Sequence, residues 1–234
     1  MTAVSSWAAL FDWDGVIVDS RALHEQAWNA VAREFGYRHA AGDFKRHFGS
    51  QNRRAIVEIL GWTRDDALMR RISDRKEELY RDSLGASPEL LLPGVAEFLA
   101  LLAERGVPRA IVSSSPRVNI DRVLAGLGLA TQFQQIIAAE DAARSKPDPE
   151  GFSRGASRLG VQPTRCVVFE DAPAGIEAGR RAEMRVVALT TTHAGGDLDA
   201  ADIVVDRLRP ELVERIESWF DGTSASALGE AQNG

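Results

Sequence analysis

The stretch Ala8-Ala9-Leu10-Phe11-Asp12-Trp13-Asp14-Gly15 decides the fold, because a short apolar run ends in it on two carboxylates. Successive apolar residues that stop at a glycine turn are typical of a strand covered on both faces. Asp12 and Asp14 are two positions apart, so on an extended backbone both side chains leave the same face. Like charges this close raise the pKa of at least one group unless a cation intervenes. The pattern indicates acid–base chemistry or a hard metal ion, although in isolation it fits an exposed Asp-Gly turn equally well.

The composition is that of an ordinary globular protein. The chain has 234 residues, of which 44% are hydrophobic and 26% are charged, enough for one large domain or two modest ones. Its formal net charge of -6 argues against nucleic acid as a partner, because nucleic-acid binders concentrate positive charge. The single cysteine, Cys166, excludes a disulfide framework and a cysteine metal cluster. We see neither a signal peptide nor a membrane-spanning stretch, so we expect a cytoplasmic protein without a membrane partner. Separately, we expect a monomer.

Further apolar runs follow the first, and helical patterns alternate with them. The predicted strands are Ala110–Val112, Ile136–Ala138, Val167–Phe169, Val186–Leu189 and Ile203–Val205. Helices are predicted where apolar residues recur with helical spacing, as in Val95–Leu102, Phe152–Leu159 and Leu212–Phe220. This alternation predicts an α/β fold whose core domain is a doubly wound, Rossmann-like parallel sheet.

One interval breaks the alternation. Between the first strand and the run at Ala110 the sequence carries helical stripes only. We therefore predict an all-helical cap domain over residues 19–89, inserted into a core domain of residues 1–18 and 90–220 and lying over the two carboxylates. Val16–Ser20 and Ser87–Pro93 are the predicted hinges, and the small, polar residues 221–234 are predicted to be a disordered tail.

Two later segments place polar side chains just beyond predicted strands. Ser113 follows the second strand and can donate to a phosphoryl oxygen, whereas Ser115, before Pro116, equally suits a helix cap. Lys146 stands directly before Pro147, in a segment whose prolines restrict where its ammonium points. In the same segment we expect Asp148 as a helix N-cap and Pro149 as the first helical residue.

A third segment, Cys166–Ile176, repeats the opening pattern of apolar strand, acids and small-residue turn. Adjacent strand residues face opposite sides of a sheet. We therefore expect Asp171 to bind a metal directly. Glu170 is expected to act through a water molecule or by contacting a direct ligand of the metal. Lys146 supplies the cation that a site with four acids needs.

Two acids, a hydroxyl, a lysine and a second acid pair, in this order, resemble the haloacid dehalogenase superfamily of phosphotransferases over roughly residues 8–205. Asp19–His24 with Trp28, and Pro93–Val95, are most similar to the group that contains β-phosphoglucomutase and sugar-phosphate phosphatases. The resemblance implies a mobile helical cap, Mg²⁺ as cofactor and an aspartyl-phosphate intermediate.

The resemblance also implies residue roles. Asp12 is the nucleophile, Asp14 is the general acid and base, and Ser113 and Lys146 hold phosphoryl oxygens. The implied metal ligands are all oxygen donors: Asp12, Asp14 through its backbone carbonyl, Asp171, and Glu170 beside it. We expect cap closure and the charge of Asp12 to raise the pKa of Asp14.

Three residues are predicted to contact substrate: His24, Ser114 and Arg53. His24 shares a helix face with Trp28, so a packing role stays open. Lys45–His47 is predicted to be a solvated helix face.

Two departures from the mutase pattern bear on the reaction. Arg53 stands one position later than the mutase's cap arginine, and Pro116-Arg117 replaces the lysine that follows the mutase's serine motif. We therefore predict a Mg²⁺-dependent phosphatase of a small phosphorylated metabolite, such as a sugar phosphate, ahead of a β-phosphoglucomutase-type mutase. A phosphate-receiving signalling domain fits less well, because it is shorter and has no cap. A catalytically silent binding protein also fits less well, because the acids and Lys146 are all present.

Overall fold

Six parallel strands form one sheet in the computed structural model, which describes residues 6–84 and 88–220 except the side chain of Pro88. The strand order is β3-β2-β1-β4-β5-β6. The bounds are Ala8–Phe11 for β1, Arg109–Val112 for β2, Gln135–Ile137 for β3, Cys166–Glu170 for β4, Arg185–Leu189 for β5 and Ile203–Val205 for β6. Each predicted apolar run overlaps one strand, so the predicted doubly wound α/β fold is confirmed.

Helices fill the connections between the strands. Their bounds are Arg21–Glu34 for α1, Asp43–His47 for α2, Asn52–Arg54 for α3, Asp66–Ser83 for α4, Val95–Glu104 for α5, Arg117–Leu127 for α6, Glu150–Leu159 for α7, Pro173–Arg181 for α8 and Glu211–Glu217 for α9. Helix α3 continues as a π-helical turn over Ala55–Ile59. Between β1 and β2 the described residues form helices and isolated bridges, and no strand of the sheet, as the predicted inserted cap requires.

The two faces of the sheet are buried in separate apolar clusters. Leu10 lies with Phe152 and Val168 in one cluster, whereas the next residue, Phe11, stacks on Phe169 in the other at 4.5 Å between ring centroids. Each large apolar side chain buried in this way contributes about 2 kcal/mol. The central strand is therefore held from both sides, which fixes where the chain leaves it at Asp12.

The inserted helices have an apolar core of their own. It contains Trp28, Val31, Ile56 and Ile72, and it includes residues of α1, α4 and the π-helical turn. The two segments that lead into and out of these helices pair with each other: Asp19 N–H donates to Leu90 O at 2.8 Å, and Leu92 N–H donates to Ile17 O at 3.0 Å. The exact cap boundaries remain a prediction. Ser87 of the second predicted hinge and the predicted tail, 221–234, lie outside the described residues.

The structure shifts one predicted helix terminus by one residue and settles one role that the sequence left open. Helix α7 begins at Glu150 with Pro149 as its N-cap, one residue later than predicted. Asp148 Oδ1 still accepts from Glu150 N–H at 3.0 Å, the contact expected of a capping aspartate, so only the position of the first helical residue was wrong. Pro116 is the N-cap of α6, so Ser115 does not cap that helix.

The prediction of a solvated face over Lys45–His47 holds for two of its three residues. Lys45 and Arg46 are exposed, but His47 is buried. Its ring packs against Trp28 and Phe44, with centroid distances of 4.8 and 5.5 Å. Even a short helix has one side that faces the protein interior, and the run of charged residues gave no indication that His47 lies on that side. In the part of the chain that the structure describes, no helix has the length and apolarity needed to cross a membrane.

Candidate active site

The predicted acids meet at the carboxyl ends of β1 and β4, which are neighbours in the middle of the sheet. Phe11 is in register with Phe169, so Asp12 and Glu170 follow side by side. The strand order reverses at β1, since β2 and β3 lie on one side of it and β4 to β6 on the other. Open α/β sheets bind their ligands at such a point, because the connections diverge there and leave a crevice.

Three carboxylates and one lysine form the centre of the site. Oxygen atoms of Asp12, Glu170 and Asp171 all lie within 4.8 Å of one another, and all three residues are buried. Lys146 Nζ lies 2.7 Å from Asp12 Oδ1 and 2.6 Å from Glu170 Oε1. Burial raises the pKa of Asp12 to about 7, despite the opposing charge of Lys146. Burial, followed by the charges of Glu170 and Asp12, raises the pKa of Asp171 well above its usual value.

A divalent cation fits this centre. One ammonium cannot balance three buried carboxylates, and an uncompensated buried charge is costly. The donors are all carboxylate oxygens, the ligand type that Mg²⁺ prefers. The backbone also makes room for them. A Cβ on Gly15, whose φ is +84°, would lie 2.2 Å from Asp171 Oδ2, and one on Gly175 would lie 1.7 Å from Glu170 Oε1.

Glu170 reaches the cluster together with Asp171. Its Oε2 accepts from the backbone N–H groups of Asp171 and Ala172, at 2.8 and 2.9 Å, so its side chain curls back over the strand end. The rule that adjacent side chains face opposite sides applies within a strand and lapses where the chain turns. Which of the two acids binds a metal directly stays a prediction.

Thr192, in the loop after β5, is a further contact of the cluster that the sequence did not indicate. Its hydroxyl donates to Asp171 Oδ2.

Asp14 lies apart from this cluster and has its own partners. Ser115 Oγ donates to Asp14 Oδ2 at 2.7 Å, and Asp14 Oδ1 accepts from Ser20 Oγ and lies 3.2 Å from His24 Nε2. Burial alone would raise the pKa of Asp14, but the electrostatic interaction and hydrogen bond with His24, and the two hydroxyls, lower it to about 2. The predicted rise in this pKa was therefore wrong. The two carboxylates differ in pKa, but in the sense opposite to the one that a nucleophile and a general acid need.

Buried cap residues extend the surroundings of Asp14. Lys76 Nζ lies 2.9 Å from His24 Nδ1 and 2.7 Å from Glu77 Oε1. Sequence reasoning named His24 but missed Lys76 and Glu77. A signal was present, because Lys76 lies on the apolar face of α4 between Ile72 and Tyr80, four residues from each.

The other predicted residues lie at different distances from the centre. Ser113 is buried, and its Oγ accepts from Ser115 N–H at 3.0 Å. Ser114 lines a cavity of about 30 Å³ beside Asp14 and a larger one of about 510 Å³ between cap and core. Arg53 borders only the outer of these two cavities, where it is exposed and paired with Asp66 at 2.7 Å. Its neighbour Arg54 instead donates to Lys146 O at 2.5 Å.

Comparisons with known proteins agree with this geometry. The family model for haloacid dehalogenase-like hydrolases matches residues 8–183. A chloroplastic 5-amino-6-(5-phospho-D-ribitylamino)uracil phosphatase of Arabidopsis thaliana is 37% identical over 202 residues, which are 86% of this chain and 54% of that protein. Validoxylamine A 7'-phosphate phosphatase of Streptomyces hygroscopicus subsp. limoneus is 33% identical over 206 residues, 86% of this chain and 93% of the relative.

A solved structure extends the likeness to the whole architecture. β-Phosphoglucomutase from Clostridium difficile superposes with a TM-score of 0.81 at 27% identity, and the match covers 91% of this chain and 97% of that one. The chain belongs to the haloacid dehalogenase-like hydrolases. The predicted family and the predicted class of enzyme, a phosphoric monoester hydrolase, are both confirmed.

Proposed function

We propose that this enzyme is a Mg²⁺-dependent phosphatase that hydrolyses a small phosphorylated metabolite, such as a sugar phosphate, through an aspartyl-phosphate on Asp12. One observation carries the proposal: two aspartates two residues apart are held in opposite electrostatic environments. Asp12 lies against Lys146 among carboxylates, whereas Asp14 faces the cap and its hydroxyl partners. Nucleophilic and acid–base roles need two carboxylates with separate partners, and bound phosphate must then reverse the order of their pKa values in the free protein.

In the first half-reaction, an Asp12 carboxylate oxygen attacks phosphorus and the bond to the leaving oxygen breaks. Asp14 gives a proton to that oxygen. The pKa of about 2 makes Asp14 ionised in the free enzyme. An incoming phosphate dianion places negative charge beside it and favours its protonated form. In the second half-reaction Asp14 takes a proton from water, the water attacks phosphorus, and inorganic phosphate leaves Asp12 free again.

The remaining groups position and neutralise the phosphoryl oxygens. Lys146 already bridges Asp12 and Glu170 and can turn its ammonium to a phosphoryl oxygen. Ser113 lies at the end of the neighbouring strand β2 with its hydroxyl available as a donor. Mg²⁺, held by Asp12, Asp171 and the Asp14 backbone carbonyl with Glu170 beside them, would supply further neutralisation of the phosphoryl charge.

Two contacts favour a phosphatase over a mutase. A mutase must grip the distal phosphate of a bisphosphate, and the cap arginine best placed by sequence, Arg53, is paired with Asp66 and more than half exposed. Arg117, which follows the serine motif, donates to Ile136 O at 2.6 Å and contacts Asp141 at 3.2 Å. Both guanidinium groups are therefore engaged away from the cluster.

The test is a screen of phosphate esters with Mg²⁺, followed by a competition between the two reactions. Wild-type enzyme and the Asp12→Asn variant receive β-glucose 1-phosphate with a trace of the 1,6-bisphosphate, and free phosphate and glucose 6-phosphate are both followed. We expect phosphate release from one or more esters, loss of this activity in the variant, and little isomerisation. Glucose 6-phosphate formed much faster than phosphate would replace the phosphatase by the mutase, and full activity in excess chelator would remove the metal from the proposal.

A further inference from the structure

We propose that Asn119, on core helix α6, is a positioning residue for the acid–base aspartate, acting through Glu77, Lys76 and His24 of the cap. The four residues form a relay that starts on the core, passes through the cap and returns to the core at Asp14. The catalytic use of Asp14 rests on the proposed function, but the relay itself can be tested without it.

Glu77 is the point at which the cap meets Asn119. Its buried carboxylate accepts from Asn119 Nδ2 at 2.5 Å through Oε2, and from Asn52 Nδ2 at 2.7 Å through Oε1. Asn52 belongs to the cap, so Asn119 is the core partner of this carboxylate. The pKa of Glu77 is lowered below its usual value, because the charge of Lys76 and the hydrogen bonds from Lys76 and Asn52 oppose the effect of burial. An ionised carboxylate in this position needs all its donors, since a buried charge without them is costly.

The side-chain amide of Asn119 offers both the donor and the acceptor that this position needs, whereas a carboxylate offers acceptors only. Its side chain is only 1% exposed. Its amide nitrogen donates to Glu77, while its amide oxygen accepts from Arg81 Nη1 at 3.1 Å. Only a side chain with a donor and an acceptor on one carbon makes both contacts, and an aspartate here would face Glu77 with a like charge.

Lys76 transmits the position of Glu77 to His24. Lys76 is 2% exposed, and its ammonium lies 2.7 Å from Glu77 Oε1 and 2.9 Å from His24 Nδ1. An ammonium has donors only, so in this contact the His24 ring is neutral, Nδ1 accepts and the ring proton lies on Nε2. The part of His24 in lowering the pKa of Asp14 is then the Nε2–H hydrogen bond, without a ring charge. That Nε2–H points at Asp14 Oδ1, 3.2 Å away. The tautomer that contacts Asp14 is thus set by a lysine that Glu77 holds in place.

The relay is complete only when the cap lies against the core. Asn119 and Asp14 belong to the core, and the three residues between them belong to the cap. The His24 ring is also stacked on Tyr80 of α4, with 3.9 Å between centroids, so His24 follows any shift of that helix. Loss of the Asn119 amide should loosen Glu77 and Lys76 and let His24 leave its Nε2–H form.

The kinetic test compares leaving groups. Proton donation by Asp14 matters for an alkyl phosphate and little for p-nitrophenyl phosphate, whose leaving group needs no proton. We expect Asn119→Ala to lower kcat/KM about tenfold for the alkyl ester and by no more than about twofold for the nitrophenyl ester. The tenfold loss is a small part of the rate enhancement that general acid catalysis supplies. The matched control is Asn29→Ala, which removes an asparagine partner of another cap histidine, His39, and should leave the ratio between the two esters unchanged. An equal loss on both esters would mean that Asn119 serves cap adhesion alone and would overturn the inference.

A double-mutant cycle with His24→Phe, which keeps the ring stacked on Tyr80, tests the route. If Asn119 acts through His24, kcat/KM of the double variant for the alkyl ester should equal that of His24→Phe within about twofold. If the two residues act independently, the losses in kcat/KM should multiply. Multiplied effects would contradict the relay. Asn119→Ser, which keeps a hydroxyl donor, replaces Asn119→Ala if the latter does not fold, and it should restore part of the lost ratio.

A spectroscopic readout separates failure of the relay from failure of the proposed function. The chain has 4 histidines, so the imidazole nitrogen shifts of His24 can be assigned by single substitutions. We expect the Nε2–H tautomer in the wild type and a mixture of tautomers in Asn119→Ala. An unchanged His24 spectrum in the variant refutes the relay, whatever the activity. A wild type without phosphatase activity refutes the proposed function and leaves this measurement valid.

Discussion

Asp12→Asn should stabilise the metal-free protein at neutral and alkaline pH while it removes the nucleophile. In the wild type, ionised Asp12 shares a buried space with Glu170 and Asp171, and one lysine compensates all three. An asparagine keeps the acceptor for Lys146 through Oδ1, and its amide nitrogen can donate to the neighbouring carboxylates. The substitution therefore removes repulsion without leaving a partner unpaired.

The magnitude follows from the pKa of Asp12. Burial and the neighbouring acids raise it from its usual 3.8 to about 7, and each unit corresponds to about 1.4 kcal/mol. Because the pKa of Asp12 is higher in the folded than in the unfolded protein, this carboxyl does not lower the free energy of unfolding below pH 3.8. The free-energy cost of ionised Asp12 grows as the pH rises from 3.8 to about 7. Above that pH it levels off at about 4 kcal/mol. For a chain of this size, removal of that cost raises the unfolding temperature of Asp12→Asn by at most roughly 10 °C.

The assay is thermal or urea unfolding of chelator-treated protein at pH values near 4 and 8. Asp14→Asn is the matched control, since the pKa of Asp14 is lowered to about 2 and its ionised form stabilises the fold above pH 3.8. That variant should be less stable than the wild type near pH 4 and pH 8, and the difference should largely disappear in a third measurement near pH 2. Added Mg²⁺ should stabilise the wild type and have little effect on Asp12→Asn. A variant Asp12→Asn that is no more stable than the wild type near pH 8, or equally more stable at both pH values, would refute this electrostatic argument.

Three further substitutions test single contacts. Lys146→Met should lower kcat by about a hundredfold or more and move the remaining activity to higher pH, because loss of the ammonium raises the pKa of Asp12 further; a pH–rate profile checks both effects. Asp14→Ala should let phosphoenzyme accumulate with a nitrophenyl ester, since water then lacks its base; acid quenching that traps no phosphoenzyme speaks against the assignment. Gly15→Ala should weaken Mg²⁺ binding, because its Cβ would fall on Asp171 Oδ2; a thermal shift by Mg²⁺ equal to that of the wild type would show that the loop adapts.

Much of the architecture was predictable from local patterns. Apolar runs such as Val167–Phe169 mark strands that are buried on both faces, and glycines such as Gly160 mark where helices stop. Because parallel strands end at one edge of a sheet, acids placed after β1 and β4 had to be neighbours once those strands paired. The positions of Asp12, Lys146 and Asp171 followed from the order of motifs along the chain.

What the local patterns did not contain were the partners that set the chemistry of each group. Asp14 and Ser115 are 101 residues apart, and only the pairing of β1 with β2 brings the serine to the carboxylate. The role of Ser115 therefore stayed open, and the direction of the Asp14 pKa was mispredicted. The same holds for Glu77 and Asn119, which are 42 residues apart and meet where cap and core pack together. The sequence by itself determined the secondary structure, the family and the list of chemical groups, because these depend on spacing and residue type. The protonation, burial and contacts of those groups were decided by the tertiary structure, because they depend on distances in space that no spacing along the chain determines.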